Sequence, residues 1–535
     1  MHANQKETLD CSLLVHGDFI PGLDQDARGC IIYNAAPFNA STLHRPYFCP
    51  MKYLVKYSPE MTIKSRPVRT RFAKQLRQNL LAQLKRFSPE IKVSGNWDYV
   101  EINVPEHLES ERRSVEKVLT STPGICFSER VRHFTFDDLD EVLSHTLEIC
   151  SDKLSGKTFA VRCKRTGKHP FNSMDVEKFV GSGINLKTEA AGVNLGSPEV
   201  AVKLEIRDKE LYICEDTLPG LNGFPLGTQD EVLSLLSGGF DSSVSSYFSM
   251  RRGLLTHFCF FNLGGREHEI AVKEVALYLW MQFGSTHPVK FVSVPFEGVV
   301  AEILHYVDNS QMGVVLKRMM LRAASRVARK FKIDALVTGE SVAQVSSQTL
   351  RNLAVIDEVT EMLVLRPLAM MEKQDIVDTA RTIGTEQFSA VIPEYCGVIS
   401  VKPTTRARLH KIEREEKHFD MAVLDQAIEN SVTEFIDHIV LGSEIPEKTL
   451  RIVSAPEAGE IILDIRHPDE EEQKPLALDS NTVEHIPFYK LNSAFPELPE
   501  KNHYLLYCAK GLMSRLHASY LQEQGYANVG VYRPE

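Results

Sequence analysis

The stretch Ser237-Gly238-Gly239-Phe240-Asp241-Ser242 constrains this chain more than any other. Before it runs Val232-Leu233-Ser234-Leu235-Leu236, short and apolar, as a buried parallel strand should be. After it a helical pattern extends from Asp241 to Arg252 and stops at Gly253, the residue type that most readily ends a helix. Strand, glycine turn and helix in that order bring exposed N–H groups and the positive end of a helix dipole to one point, with two glycines that let an anion approach the backbone. The predicted object is a phosphate cradle. It lacks both the Gly-Lys-Ser/Thr ending of a Walker A loop and the G-x-G-x-x-G spacing of a dinucleotide turn. Ser, Gly and Asp are also common in ordinary turns, so the spacing alone establishes an anion site and no particular reaction.

At 535 residues the chain is too long for one ordinary core, and about three or four domains are expected. Hydrophobic residues at 43% and charged residues at 25% place it among soluble globular proteins. No apolar run approaches the roughly 18 residues of a membrane span. Glu7 and Asp10 stand ahead of only a brief Leu13-Leu14-Val15 run, which argues against a secretory signal, so a cytoplasmic protein with no membrane partner is expected. The ten cysteines show no C-x-x-C pair, which excludes a disulfide framework or a zinc ligand set and makes most of them buried small hydrophobes. Cys11, Cys30 and Cys49 are spaced too widely to ligate a metal together, and no metal site of the protein's own is expected.

A net charge of −10 argues against indiscriminate nucleic-acid binding, but the charge is unevenly distributed. Residues 1–50 have no sustained period and are assigned no fold. Tyr53, Val55 and Tyr57 then alternate with Lys52, Leu54 and Lys56 as in a strand, and Met51 is itself a candidate start. Between Met51 and Lys92 eleven Lys and Arg residues face only Glu60 and Glu90. Many lie on a helix predicted over Pro67–Phe87, whose Phe72, Leu76, Leu80 and Leu84 form a core face and leave the cations toward solvent. Solvated faces normally mix signs, so a one-sign face points to a polyanion. A second basic cluster spans Phe159 to Phe171, with Arg162, Lys164, Arg165 and Lys168. Such residues would neutralise phosphates and position a nucleic acid by shape rather than read its sequence. Gly220 to Thr228 is turn-rich and reads as a linker.

Downstream, strand candidates at His257–Leu263, Val289–Pro295, Asp334–Gly339 and Leu363–Leu368 alternate with helical patterns, including one at Val314–Phe331. Alternation implies a mostly parallel sheet with ligands at the carboxyl ends of its strands, where Gly264-Gly265, Gly339-Glu340 and the glycine turn all fall. A carboxylate beside bound phosphates needs a cation between them, which gives Asp241 a candidate Mg²⁺ role. Acidic helical residues from Arg406 to Glu444 lead into a last domain near Leu450. There Ile461–Arg466 contains Asp464-Ile465-Arg466, and the apolar run Tyr504–Tyr507 ends at Cys508, with Lys510 and Arg515 close behind in sequence. A cysteine at a helix start near cations is stabilised as a thiolate or persulfide. Cys396, in Pro393-Glu394-Tyr395-Cys396-Gly397-Val398, reads from the residues alone as a buried thiol.

The hexapeptide Ser237–Ser242 resembles the S-G-G-x-D-S loop of the PP-loop ATP pyrophosphatases. Phe159–Phe171, with Ser173, Asp175, Glu177 and Gly181, resembles the core of a THUMP domain, an RNA-binding module. Asp464-Ile465-Arg466 with Cys508 resembles a rhodanese domain. In this order, from Met51 to Glu535, the modules resemble the long form of the tRNA 4-thiouridine synthetase (tRNA sulfurtransferase) family. The resemblance implies a multidomain α/β and α+β protein. Its parts are an unassigned extension (1–50), a ferredoxin-like domain (51–112), a THUMP domain (113–217), a linker (218–230), a parallel-sheet PP-loop domain (231–425), a second linker (426–452) and a rhodanese-like α/β domain (453–535).

The same resemblance implies ATP and Mg²⁺ as cofactors. Leu235, Leu236, Ser237, Gly238, Gly239, Ser242, Lys317, Gly339, Gln348 and Lys373 become candidate ATP or pyrophosphate contacts, and Asp241, Cys396 and Cys508 candidate catalytic residues. It implies adenylation of uridine 8 of tRNA at O4, then sulfur delivery from a persulfide on Cys508 that a cysteine desulfurase loads, with Cys396 attacking it or closing a Cys396–Cys508 disulfide. A role as sulfur donor for the thiamine thiazole ring, through a thiazole-pathway sulfur-carrier protein, is implied as well, and a homodimer is the usual oligomer. Two other readings explain half the chain each. A PP-loop ligase acting on a small metabolite needs no basic domain, and a non-catalytic RNA-binding sulfur carrier needs no Ser237–Ser242.

Overall fold

The computed structural model describes residues 51–390, 392, 402–438, 450–466, 468–509 and 511–534. Three sheets carry the architecture. The first has eight strands in the spatial order Lys92–Gly95, Tyr99–Val104, Met51–Tyr57, Ile125–Thr135, Glu210–Pro219, Val200–Arg207, Thr158–Thr166 and Gly192–Val193. Ile125–Thr135 pairs antiparallel with Met51–Tyr57 on one side and with Glu210–Pro219 on the other, so the two N-terminal modules share one continuous sheet. Helix Arg66–Leu84 buries Phe72, Leu76, Leu80 and Leu84 on that sheet, the stripe its four-residue spacing dictates. Helix Arg112–Ser121 adds Val115, Val118 and Leu119 to the same core. The chain just past 112, placed by sequence in the second module, therefore packs on the first. Helices Leu139–Leu154 and Ser173–Lys187 pack with the other half of the sheet, the latter started by a capping box between Asn172 and Asp175.

The expected linker at 218–230 is a packed strap. Phe224 stands edge-on to Phe72 at 5.5 Å, and Asn79 donates to the Leu226 carbonyl at 3.0 Å. These contacts fasten the basic helix to the entrance of the next sheet.

That second sheet has the order Leu363–Leu365, Ala335–Val337, Glu231–Leu235, Leu255–Asn262, Lys290–Pro295, Val432–Phe435. Its first five strands are parallel, and Val432–Phe435 closes one edge antiparallel. The last strand falls in the stretch expected to be a linker (426–452). It is short and half polar, as an edge strand can be, and carried no alternation to announce it. From Glu231–Leu235 the chain first winds outward through Leu255–Asn262 and Lys290–Pro295, then returns to place Ala335–Val337 on the opposite side. The crevice between Glu231–Leu235 and Ala335–Val337 is thus the topological switch point, where ligands of open α/β sheets sit.

The third sheet holds five parallel strands, in the order Ile452–Val453, Val529–Tyr532, Tyr504–Tyr507, Ile461–Asp464, Val483–His485. It joins the second through a shared apolar core in which Phe388 stacks on Phe488 at 4.4 Å. Inside that contact Glu274 and His517, both buried, lie 3.4 Å apart. Burial drives each to its neutral form, Glu274 up to about 8 and His517 down to about 4. At neutral pH the pair is a carboxylic acid facing an imidazole rather than an ion pair. Among the described residues no helix is long and apolar enough to cross a membrane.

Candidate active site

At the carboxyl end of Glu231–Leu235 the chain turns through Ser237–Gly239 into helix Phe240–Arg251. Gly238 adopts φ +84°, and a Cβ there would meet Ile392 Cδ1 at 2.6 Å, so only glycine fits. The turn is pinned from several sides. Ser237 N donates to Ser242 Oγ at 3.2 Å, Ser243 Oγ donates to the Gly239 carbonyl at 2.9 Å, and Ser389 Oγ donates to the Gly238 carbonyl at 2.9 Å. The serine-rich helix that follows satisfies its buried hydroxyls by bonding back to carbonyls one turn earlier, as Ser246 Oγ does to Ser242 O at 2.7 Å.

The turn borders a cavity of about 530 Å³. Leu235, Leu236, Ser237, Gly239, Asp241, Ser242, Lys317, Gly339 and Gln348 all line it. Gly238 turns instead toward Ile392 and Val272, and Lys373 reaches the site by pairing with Asp241 Oδ1 at 2.7 Å. Gly339 is held where it is by contact: a Cβ on it would lie 2.6 Å from the Asp241 carbonyl carbon and 2.7 Å from Ser242 N. Gln348 is 7% exposed, and its Oε1 has no hydrogen-bond partner among the described residues, which leaves an acceptor for a ligand's donor.

Two further residues line this wall with no role assigned to them from sequence, Gln344 and Glu340, the latter placed by sequence only as the neighbour of Gly339 at a strand's carboxyl end. Gln344 donates to Asp241 Oδ2 at 2.7 Å, so the two Asp241 oxygens are held by Lys373 and Gln344. Glu340 accepts from Lys317 Nζ at 2.8 Å through Oε1, and from Thr338 Oγ1 at 2.9 Å and Arg366 Nε at 2.7 Å through Oε2. Burial alone would raise the Glu340 carboxyl, but Lys317 and Arg366 outweigh it and hold it at about 2. Arg366 is gripped in turn by both oxygens of Asp357, at 2.9 and 2.6 Å. The sequence placed Glu340 beside Gly339 at a strand's carboxyl end but carried no sign of its pairing with Lys317 and Arg366.

Among the described residues no three His, Cys, Asp or Glu converge as a metal cage. Asp241 is a carboxylate on the cavity wall, the hard oxygen donor that Mg²⁺ favours, and Lys373 and Gln344 hold its two oxygens there.

Cys508 follows strand Tyr504–Tyr507 and precedes helix Leu512–Glu523. It is 8% exposed. Its Sγ accepts from Ser514 N at 3.3 Å and donates to Ser514 Oγ at 3.4 Å, and Gly511 N donates to its carbonyl at 3.1 Å. Asp464 at the end of the neighbouring strand holds Arg466 with a contact of 2.8 Å to Nε, and that guanidinium lies 5.0 Å from the Tyr507 ring centre. The Asp464-Ile465-Arg466 landmark thereby braces the residue before Cys508. Cys396 and Lys510 lie outside the described residues.

The basic cluster divides. Lys52 pairs with Glu101 at 3.1 Å, Lys56 with Glu205 at 3.4 Å, and Arg86 donates to Ser285 Oγ at 3.0 Å. Those cations bond to other parts of the chain, Lys52 and Lys56 from half-buried positions. Lys64, Arg66, Arg71, Lys74, Lys85 and Lys92 are exposed, as are Arg162, Lys164 and Lys168 of the second cluster.

The modules match known families in this order: the ThiI ferredoxin-like domain over residues 52–126, the THUMP domain over 136–216, and thiamine biosynthesis protein (ThiI) over 227–421. A tRNA sulfurtransferase of Azotobacter vinelandii is 54% identical over 486 residues, 90% of this chain and 100% of that protein. One of Shewanella loihica is 51% identical over 484 residues, again 90% of this chain and 100% of that protein. Among solved structures, the crystal structure of a 4-thiouridine synthetase–RNA complex with bound ATP matches with a TM-score of 0.63 and 26% identity, covering 72% of this chain and 99% of that one. With its modules, their order and relatives at this identity along nine-tenths of its length, the chain belongs to the tRNA sulfurtransferase family.

Proposed function

We propose that this enzyme uses ATP to activate a uridine of tRNA, position 8 by family resemblance, and replaces its O4 with sulfur to give 4-thiouridine. The observation that carries the reading is the convergence of the Ser237–Ser242 turn, Lys317, Gly339 and Gln348 on one cavity at the switch point of a parallel sheet. ATP would lie there with its phosphates on the turn's N–H groups and on Lys317. Gln348 Oε1 would accept from the adenine amino group. When bound, Mg²⁺ supplies charge neutralisation between Asp241 and the phosphates. Lys373, which pairs with Asp241, would take up the charge of the leaving pyrophosphate. Adenylation of O4 makes AMP the leaving group at C4, and the fixed donors of the turn would stabilise the negative charge that develops on the phosphate oxygens.

The C-terminal sheet is read as a rhodanese-like sulfur carrier. A cysteine desulfurase would load sulfur onto Cys508 as a persulfide, whose terminal sulfur would displace AMP at C4. The Cys396 thiolate would then attack Cys508 Sγ, breaking the S–S bond to leave sulfur on C4 and a Cys396–Cys508 disulfide, which an external thiol reductant reduces before the next turn. Ser514 N, already donating to Cys508 Sγ, would stabilise a thiolate or persulfide there. The exposed cations of helix Arg66–Leu84 and of Thr158–Thr166 would hold tRNA by its phosphates. Donation of sulfur for the thiamine thiazole ring, homodimer formation and a cytoplasmic location complete the reading. The test separates its halves. Asp241→Ala should abolish tRNA-dependent pyrophosphate release, whereas Cys508→Ala should preserve that release and stop repeated sulfur transfer. Full multiple turnover by Cys508→Ala, with desulfurase and cysteine as the sulfur source, would refute the persulfide role.

A further inference from the structure

Four charged side chains from separate elements form one line that ends at the cavity. Asp357, the last residue of helix Leu350–Asp357, holds Arg366, just past strand Leu363–Leu365. Arg366 holds Glu340, beyond strand Ala335–Val337, and Glu340 holds Lys317 of helix Met312–Lys330. The signs alternate, and the terminal member, Lys317, lines the cavity while its side chain stays 21% exposed. A lysine has several rotatable bonds, and fixing its ammonium costs entropy unless a partner does so in advance.

We propose that Glu340 is a positioning residue for ATP, acting through Lys317, whose ammonium it aims into the cavity before the nucleotide arrives. The inference rests on the reading of this cavity as an ATP site. Glu340 is ill-suited to a direct role. Both of its oxygens are already engaged, and its carboxyl, held at about 2, neither gives nor takes a proton at neutral pH. The network ends on a cation at the cavity wall.

The test is a double-mutant cycle on the full chain, with ATP affinity measured by calorimetry and folding checked by thermal melting. Glu340→Gln, near-isosteric, should weaken ATP by about tenfold, the scale of one charge-assisted hydrogen bond. Lys317→Ala should weaken it at least as much, and the double variant should bind no worse than Lys317→Ala alone, because the two residues act as one. Should Glu340→Gln fail to fold, Arg366→Lys loosens Glu340 from behind and should show a smaller loss that likewise vanishes in the Lys317→Ala background. Wild-type affinity in Glu340→Gln, or losses that multiply in the double variant, would overturn the inference. Failure of the ATP reading itself looks different, since the wild-type chain would then bind no ATP.

Discussion

Gly339→Ala isolates one contact at the centre of the site. Gly339 is outside the left-handed region, so alanine is free to adopt its backbone angles and only the new methyl group matters. That methyl carbon would sit 2.6 Å from the Asp241 carbonyl carbon, 2.7 Å from Asp241 O and 2.7 Å from Ser242 N, against the 3.4 Å at which ordinary contact begins. The gap must open by 0.8 Å, the difference between 2.6 and 3.4 Å, and every atom in the way is backbone of the first turn of helix Phe240–Arg251. Overpacking of this kind costs about 1–3 kcal/mol. The displaced residues are the ones that hold Lys373, Gln344 and the turn itself, and a shift approaching 1 Å in a positioning element costs up to about 10²-fold in rate. Urea unfolding should therefore show a loss of about 1–3 kcal/mol, and calorimetry an ATP affinity lowered at least about tenfold. Gly181→Ala, whose methyl would find only Val161 Cγ2 at 3.8 Å, is the control and should leave ATP binding unchanged. Gly339→Ala with wild-type stability and wild-type ATP affinity would refute the claim that Gly339 abuts the backbone of the first turn of helix Phe240–Arg251.

Other perturbations address the rest of the structure. Burial raises Glu274 to about 8 from an ordinary 4.5, so the native state keeps a proton that the unfolded state has released, and stability falls as pH rises. His517, lowered from 6.5 to about 4, has the opposite sign and offsets this at lower pH, which leaves the window from 6.5 to about 8 to Glu274. Glu274→Gln should flatten the fall in that window, and equal urea-derived slopes for variant and wild type would contradict the assignment. Glu416 accepts from Arg318 Nε at 2.6 Å and from Arg322 Nη1 at 2.8 Å, with Arg318 and Glu416 buried. Glu416→Gln leaves the Arg318 charge uncompensated and should cost about 3 kcal/mol or more in urea unfolding, whereas a loss near zero would mean that the network carries no stability. Joint replacement of exposed Arg71 and Lys74 by alanine should weaken tRNA binding, and should lower the slope of log affinity against log salt by about 0.7–0.9 for each phosphate that these side chains neutralise. An unchanged slope would remove this helix face from the tRNA path.

Much of the fold was legible because the signals were local. The apolar run into Ser237–Ser242, the four-residue spacing of Phe72, Leu76, Leu80 and Leu84, and the strand that ends at Cys508 each specify their own element without help from distant chain. What could not be read depends on partners brought together by topology. Lys52 and Lys56 look like surface cations in sequence, yet Glu101 and Glu205 come to them from other strands of the first sheet. Glu340 could be placed at a strand end but not paired, and Gln344 not at all, until the sheet's switch point sets them beside Lys317 and Asp241. Val432–Phe435 has neither length nor alternation and becomes a strand only because an edge was open beside Lys290–Pro295. Glu274 and His517, more than two hundred residues apart in sequence, show in their chemistry no sign of meeting inside a packed interface.

The most direct test of the account is the mass of nucleosides from unmodified tRNA incubated with the protein, ATP, Mg²⁺, cysteine and a cysteine desulfurase. Oxygen should be replaced by sulfur at one uridine, in a reaction that depends on ATP and is abolished over repeated turnovers in Cys508→Ala. Unmodified tRNA, in a reaction where the protein still splits ATP with a small-molecule acceptor, would contradict it.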